Sequence, residues 1–399
     1  MKVERLWTKN FILVSTINAT LTFVFYLLIV IIGVYATNTF DATVSQAGLI
    51  TGIFIIGTLL GRLFTGYFID SFGHRKTLIT GLILLIFTSM LYFVQAGILL
   101  LILARFIHGM ALGVASTATG TIVAQVIPRS RSAEGIGYYS MSSTISTAIG
   151  PFIGLFMMHH TGFQLIFALC TSLSVIGLIL ALLLRIQPVT SHRKKREKLF
   201  AFSHFIEVKS LPISVVALLW SFCYSSVLSF MNAYALELDL VKAASFFFVV
   251  YSVAIFISRP FTGRLLDNKG ANIVMYPAIL LFSAGLFVLG FAKGSIALLL
   301  AGILLGFGFG NIQSSAQAIA VLAASPKRIG LATSTFYIFL DAGLGFGPYI
   351  LGLIIPFTGY ANMYLVLGGL TLFTLLVYEI LHGRKARKAR KTSMYSADV

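Results

Sequence analysis

The chain has 399 residues, 58% of them hydrophobic and only 10% charged, with 29 Lys and Arg against 12 Asp and Glu for a formal net charge of +17. A water-soluble chain carries about a quarter charged residues. Apolar stretches such as Thr77 to Leu103 exceed the roughly 20 residues that cross a bilayer, which argues against a soluble enzyme and for a polytopic helical membrane protein. The two cysteines, Cys170 and Cys223, each lie in an apolar run without a metal-ligand neighbour, so neither a disulfide framework nor a zinc site is expected.

Gly, Pro and charge breaks divide the sequence into twelve spans. Span 1, Phe11–Tyr35, follows ten polar and basic residues; it is too long for a cleaved signal peptide and has no small-residue cleavage site. Asn18, Thr22 and Tyr26 recur on it at four-residue spacing, on one helical face. Span 2, Ala47–Ile69, carries Arg62 and Gly66 and runs into a loop with Asp70, Gly73 and Arg75. Span 3, Thr77–Gln95, is wholly apolar apart from hydroxyl residues and the terminal Gln95. Span 4, Ile98–Val126, contains Arg105, His108, Gly109 and Gly113. An intramembrane arginine costs at least about 2.5 kcal/mol at the helix centre, so Arg105 requires a partner, a watery cavity, or snorkelling to the outer face. Span 5, Gly135–Met158, includes Gly137, Gly150, Pro151 and Gly154, a small-residue face with a proline that removes one backbone hydrogen bond. Span 6, Phe163–Arg185, precedes a polar linker, 187–210.

Spans 7 to 9 are Leu211–Ala233 with Trp220 and Tyr224, Ala243–Leu266 with Arg259, and Ile273–Phe291. Asp267 directly follows span 8. Span 10, Ile296–Ala324, offers Asn311, Ser315 and Gln317; span 11, Leu331–Ile355, offers Tyr337 and Asp341; span 12 is Ala361–Leu381. Asp341 falls about ten residues, roughly 15 Å of helix rise, into its span and so near the midplane. A carboxylate at that depth is a candidate site at which a proton and a cationic substrate could compete. With the N-terminus cytoplasmic, 24 of the 29 Lys and Arg fall on the inner side, Lys242 and Lys293 on the outer, and Arg62, Arg105 and Arg259 within spans. That asymmetry places both termini and the linker in the cytoplasm. It makes the positive charge a matter of topology, so no nucleic-acid partner is expected. The linker and the basic tail, 384–399, read as solvated faces or as contacts to anionic lipid.

The segment RLFTGYFIDSFG at Arg62 returns as RPFTGRLLDNKG at Arg259, a shift of 197 residues that also carries Gly109 to Gly306, Gly113 to Gly310 and Gly150-Pro151 to Gly347-Pro348. Parallel six-span repeats of this kind resemble the plan of major facilitator transporters, and that resemblance implies a central cavity opened alternately by rocking of the halves. The run Gly66-x-x-x-Asp70-x-x-Gly73-His74-Arg75-x-x-Leu78 resembles the cytoplasmic loop motif of the major facilitator superfamily. Ser71 stands there where arginine is usual, and His74 fills the first basic slot. Arg105, Gly109 and Gly113 resemble the family's span-4 motif, in which the arginine is associated with proton coupling. Gly137, Gly150, Pro151 and Gly154 resemble its antiporter motif, with Ser146 and Leu155 in place of glycines.

The resemblance implies an all-α membrane fold of twelve helices in two six-helix repeats: halves 1–186 and 211–383, a cytoplasmic linker 187–210 and a cytoplasmic tail 384–399. It implies proton-coupled efflux of small amphiphilic compounds by a multidrug-type antiporter; the alternative is a dedicated exporter of a zwitterionic metabolite or metal-chelating small molecule. Asp341, Arg105 and His108 are then the proton-coupling candidates. Gly66, Asp70, Gly73, Arg75, Arg62, Asp267 and Arg259 form the cytoplasmic gate. In it Asp70 faces the start of span 11 and Asp267 the start of span 5, with the three arginines as partners of the carboxylates. Asn18, Thr22, Tyr26, Trp220, Tyr224, Asn311, Ser315, Gln317 and Tyr337 are the expected cavity lining, aromatic faces being suited to cationic compounds. No ATP-binding loop and no convergent catalytic group occurs in the sequence, so a secondary transporter is expected rather than an enzyme. The expected requirements are a proton gradient, a small-molecule substrate and the bilayer, with no cofactor or metal. The protein is expected to be a monomer in a bacterial cytoplasmic membrane.

Overall fold

The computed structural model describes residues 5–186 and 205–387; most of the expected linker and the last part of the expected tail lie outside the described residues. Within them every regular element is helical. The first six long helices are α1 (Lys9–Phe40), α2 (Val44–Phe72), α3 (His74–Leu91), α4 (Ile98–Val126), α5 (Ser132–His160) and α6 (Phe163–Leu183). They are followed by α7 (Leu211–Glu237), α8 (Val241–Lys269), α9 (Asn272–Gly290), α10 (Ser295–Ala323) and α11 (Ile329–Tyr378). All eleven are long and apolar enough to cross a membrane. Helix 11 runs for 50 residues and breaks at Gly359 (φ 71°, ψ 171°), so the eleventh and twelfth expected spans are its two arms.

A helix in hydrocarbon satisfies its backbone internally, which leaves its ends as the places where sequence must intervene. Thr8 accepts from the Phe11 N–H at 3.2 Å to cap α1, and Thr43 and Gln46 form a reciprocal capping box on α2. Helices 2 and 3 meet at Gly73 with φ 101°, and helices 8 and 9 meet near its repeat mate Gly270 with φ 85°. Both turns need a backbone region that L side chains rarely enter. Several helices extend past the apolar runs, α1 as far as Phe40, because the end turns stay hydrogen-bonded where the sequence turns polar.

Close packing follows the glycines. A Cβ on Gly109 of α4 would overlap the Phe54 carbonyl of α2, and one on Gly113 the Thr58 carbonyl, so these two helices touch backbone to backbone. The repeat mate Gly306 sits in the same way on the Tyr251 carbonyl of α8.

The chain forms two compact units that cut across the sequence halves. One gathers Met1–Pro128, Ser142–Glu207 and Ala324–Ile338; the other gathers Arg129–Met141, Val208–Ala323 and Phe339–Val399. The start of α5 therefore belongs with the second repeat, and the start of α11 with the first.

Candidate gate and proton-coupling sites

In the second unit the end of α8 holds the start of α5. Asp267 accepts from the Ala133 N–H at 2.8 Å and from the Glu134 N–H at 2.9 Å, one carboxylate oxygen to each. These are two of the amides that a helix start leaves without intrahelical partners, and the helix dipole favours a negative charge there. Gly263 makes the approach possible, since a Cβ on it would lie 2.5 Å from Glu134 Cα and 2.9 Å from its nitrogen. The Glu134 carboxylate, 3% exposed, accepts from Arg131 Nε at 2.7 Å and Arg264 Nε at 2.8 Å. Arg259, expected to pair with a gate carboxylate, instead donates Nη1 to the Gly137 carbonyl at 3.2 Å. A Cβ on Gly137 would be 3.9 Å from the Arg259 side chain, so this glycine of the span-5 motif faces the second repeat.

The matching elements of the first unit are arranged differently. Gly66 lies against α11, where a Cβ would come within 2.6 Å of Ser334 Oγ, and that hydroxyl donates to the Arg62 carbonyl at 2.6 Å. The Asp70 carboxylate lies beside Gly330, the second residue of α11, an added Cβ there being 2.9 Å from Asp70 Oδ1. Its hydrogen-bonding partner is His74, at 3.2 Å, whose other ring nitrogen meets Gln125 Oε1 at 2.9 Å. Arg75, also expected to pair with a gate carboxylate, turns the other way and donates to the carbonyls of Leu182 at 2.7 Å and Ala181 at 3.4 Å. The cation thus meets the negative end of α6, where a positive charge is favoured. Arg62 is buried with its guanidinium 4.5 Å above the Tyr337 ring, and Tyr337 also lies against Gly120 of α4.

The end of the linker is partly packed. Glu207 is buried; its N–H donates to Thr335 Oγ1 at 2.9 Å and its carboxylate pairs with Arg328 at 2.8 Å. Phe205 stacks on Tyr67 with ring centroids 5.1 Å apart. Val208 and Lys209 are exposed, and linker residues 187–204 lie outside the described ones.

Arg105 is 0% exposed, which rules out snorkelling. Its guanidinium stands 4.3 Å above the Phe54 ring, donates to the Ile50 carbonyl and to the Tyr92 hydroxyl, each at 3.4 Å, and leaves Nη2 without a hydrogen-bond partner among the described residues. Tyr92 Oη in turn lies 2.7 Å from His108 Nδ1. The result is a buried chain, Arg105 to Tyr92 to His108, with no described carboxylate in it. Asp341 is half-buried and belongs to the other unit.

The remaining candidates divide by packing. Gly150 and Gly154 of α5 seat directly on α1: a Cβ would lie 2.9 Å from Tyr26 Cβ in one case and 2.7 Å from the Leu27 carbonyl in the other. Pro151 lies within the helix between them. Asn18 is buried and donates to Ser142 at 2.9 Å and Ser143 at 2.7 Å, while Thr22 bonds back to the Asn18 carbonyl. These groups hold α1 to α5, and Thr22 and Tyr26 are only half-buried. Trp220 and Tyr224 are packed on Phe309 with centroids 4.9 and 3.5 Å away, in the interior of the second unit. Asn311 is buried with Ser258 and Thr262 in a network tying α8 to α10. Ser315 and Gln317 are buried as well. In this structure these residues of spans 7 and 10 are buried within the second unit.

A family model described as Major Facilitator Superfamily matches residues 14–271 and again residues 241–396, the two matches covering both repeats. The chain belongs to this superfamily. As a major facilitator it is a secondary transporter, embedded as a multi-pass membrane protein, and not an enzyme. It is 23% identical over 361 residues to the multidrug resistance protein MdtG of Klebsiella pneumoniae, across 88% of this chain and 87% of that one. It is 21% identical over 343 residues to the uncharacterized MFS-type transporter MJ1560 of Methanocaldococcus jannaschii, across 84% and 88% of the two chains. Among solved structures, the major facilitator FucP in the outward conformation superposes with a TM-score of 0.74 at 17% identity, over 94% of this chain and 99% of that one. The human organic anion transporter MFSD10 also gives 0.74 at 13% identity, over 92% and 98%.

Several residues of these sites escape a reading of motifs. Gly263 is the repeat mate of Gly66 and is recovered by applying the 197-residue shift to every motif position. Glu134 carries a weaker signal, an acid in the first turn of a helix three residues after Arg131. Tyr92 and Glu207 carry none, because their roles exist only in the tertiary arrangement.

Proposed function

We propose that this transporter exports small amphiphilic compounds in exchange for protons by alternating access, with Asp341 as the coupling carboxylate and the Arg105–Tyr92–His108 chain as the buried polar element that answers to it. The observation that carries the reading is the burial of Arg105 among aromatic and hydroxyl partners with no carboxylate among the described residues. A cation so placed is costly to keep. His108 is linked to it through the Tyr92 hydroxyl, so protonation of that ring would place a second positive charge in the same chain. The packing of Gly150 and Gly154 on α1 supports the antiporter form of α5, and relatives named multidrug resistance proteins support the cargo class.

In the proposed cycle, the clamps of Asp267 on α5 and of Asp70 beside α11 tie the two repeats together at the cytoplasmic side and release when that side opens. In this reading both termini lie in the cytoplasm and the protein works as a monomer in the cytoplasmic membrane, which the excess of Lys and Arg on the inner segments supports for the termini. The test is proton movement in proteoliposomes under an imposed pH gradient, followed with an internal dye while lipophilic cations and then zwitterionic chelators are added. Flux evoked by the cations and lost in Asp341→Asn is the expected result. Flux evoked by the chelators alone would replace the cargo with a metabolite or metal chelator, and undiminished flux in the variant would remove Asp341 from the coupling role.

A further inference from the structure

A cavity of about 360 Å³ opens in the first unit where the start of α1, the start of α3 and the end of α6 converge. Lys9, Arg75 and Arg185 line it, together with Leu182 to Leu184 and Ile186, and no acidic residue does among the described residues. Backbone bonds hold the segments that carry the cations. Asn10 donates to the Arg185 carbonyl at 2.7 Å and accepts from the Arg185 N–H at 3.2 Å, which fixes Lys9 and Arg185 on adjoining segments. Arg75 uses Nε and Nη2 on the α6 carbonyls, which orients the fork and leaves Nη1 for a ligand.

Three like charges around one polar hollow repel one another unless an anion enters, and an arginine fork with a lysine beside it suits a phosphate oxyanion. The surroundings identify the level of the site. Leu182 and Leu183 are 52% and 50% exposed on the apolar exterior, and Trp7, two residues before Lys9, is 60% exposed. Tryptophan concentrates where hydrocarbon gives way to headgroups. All three cations come from segments that the charge asymmetry places on the cytoplasmic side, where anionic lipid attracts basic residues.

We infer that this cavity is a phosphate site that takes the headgroup of an anionic phospholipid from the inner leaflet, its acyl chains running along the α6 leucines. It does not depend on the cargo of the transporter, so its failure would leave the antiport reading untouched.

The full-length protein, purified in detergent, would be titrated with short-chain phosphatidylglycerol, with phosphatidylcholine of the same chain length, and with inorganic phosphate. Binding would be read by native mass spectrometry and by intrinsic fluorescence. At about 1 kcal/mol per basic residue near a charged surface, the double variant Lys9→Gln/Arg185→Gln should bind phosphatidylglycerol about thirty-fold more weakly. The charge-keeping variant Lys9→Arg/Arg185→Lys should bind within a few-fold of the parent protein. Phosphatidylcholine should not compete, and displacement by millimolar inorganic phosphate would assign the same oxyanion site to a soluble phosphate source. Equal binding of the two lipids, unchanged affinity in the neutral double variant, or equal loss in both double variants would overturn the proposal.

Discussion

Asp267→Asn isolates the better made of the two helix-start clamps. The carboxylate accepts two amide bonds at 2.8 and 2.9 Å, from Ala133 and Glu134. Each hydrogen bond to a charged group is worth about 1.5–3 kcal/mol net. Asparagine keeps one acceptor oxygen, in a neutral bond worth about 1 kcal/mol, and turns an NH2 group toward the other amide, which then has no partner. The helix start also loses a charge worth about 0.3–1 kcal/mol. A loss of about 2 kcal/mol is a conservative total, equivalent to roughly a thirty-fold change in the clamp's opening equilibrium. Hydrogen exchange of the peptide covering 130–137, followed by mass spectrometry in nanodiscs, reads that equilibrium directly. The Ala133 and Glu134 amides should exchange about thirty-fold faster in the variant, while Asp70→Asn should leave them unchanged. Equal protection in parent and Asp267→Asn would refute the assignment of these two bonds as the restraint on α5.

Other substitutions test the same logic elsewhere. Gly263→Ala and Gly66→Ala should each destabilise by about 1–3 kcal/mol in thermal unfolding, because the first Cβ meets Glu134 backbone and the second meets Ser334 at both Oγ and Cβ, of which only Oγ can rotate away. Gly73→Ala should cost about 1–3 kcal/mol with no steric component, since an added Cβ there meets nothing within 4 Å and the strain lies wholly in φ 101°. Tyr92→Phe should cost about 1–3 kcal/mol by leaving Arg105 Nη1 and His108 Nδ1 without their shared hydroxyl. In proteoliposomes it should weaken substrate-evoked proton flux more than substrate binding measured at fixed pH. An equal loss of both would make Tyr92 a purely structural residue.

What the sequence discloses and what it withholds divide along a physical line. Membrane spans are written in uninterrupted apolar runs, and the repeat in a constant shift, so the helices and the paired motifs are legible from residue order, while the position of Asp267 at the start of α5 follows from the repeat together with the family resemblance. Partner choice among cations is not. Arg75, Arg131, Arg259 and Arg264 are equivalent in charge. Which of them meets a carboxylate depends on where each side chain points from its helix and on which competing acceptor lies within reach. Arg75 finds helix-end carbonyls, Arg259 finds the Gly137 carbonyl, and Arg264 finds Glu134. The aromatic pair Trp220 and Tyr224 misleads for a related reason, because four-residue spacing marks a common face without saying whether that face meets Phe309 or an open cavity.

The repeat also makes the inequality of the two proposed clamps informative. Asp70 and Asp267 are copies, yet the second holds two backbone amides beside a carboxylate flanked by two arginines, and the first is shared with His74 beside Gly330. Position 134 is glutamate where its mate is Leu331, and position 264 is arginine where its mate is Tyr67, so the extra charges of the stronger clamp were not dictated by duplication. A latch that must open in every cycle can favour the closed form by only a few kcal/mol, since a minor state must stay populated for a ligand to shift toward it. Two clamps of about 2 kcal/mol each would already reach the upper end of that range. If the two contacts act as the proposed latch, the extra partners at Asp267 and Glu134 make the second unit the larger share of the cost of opening.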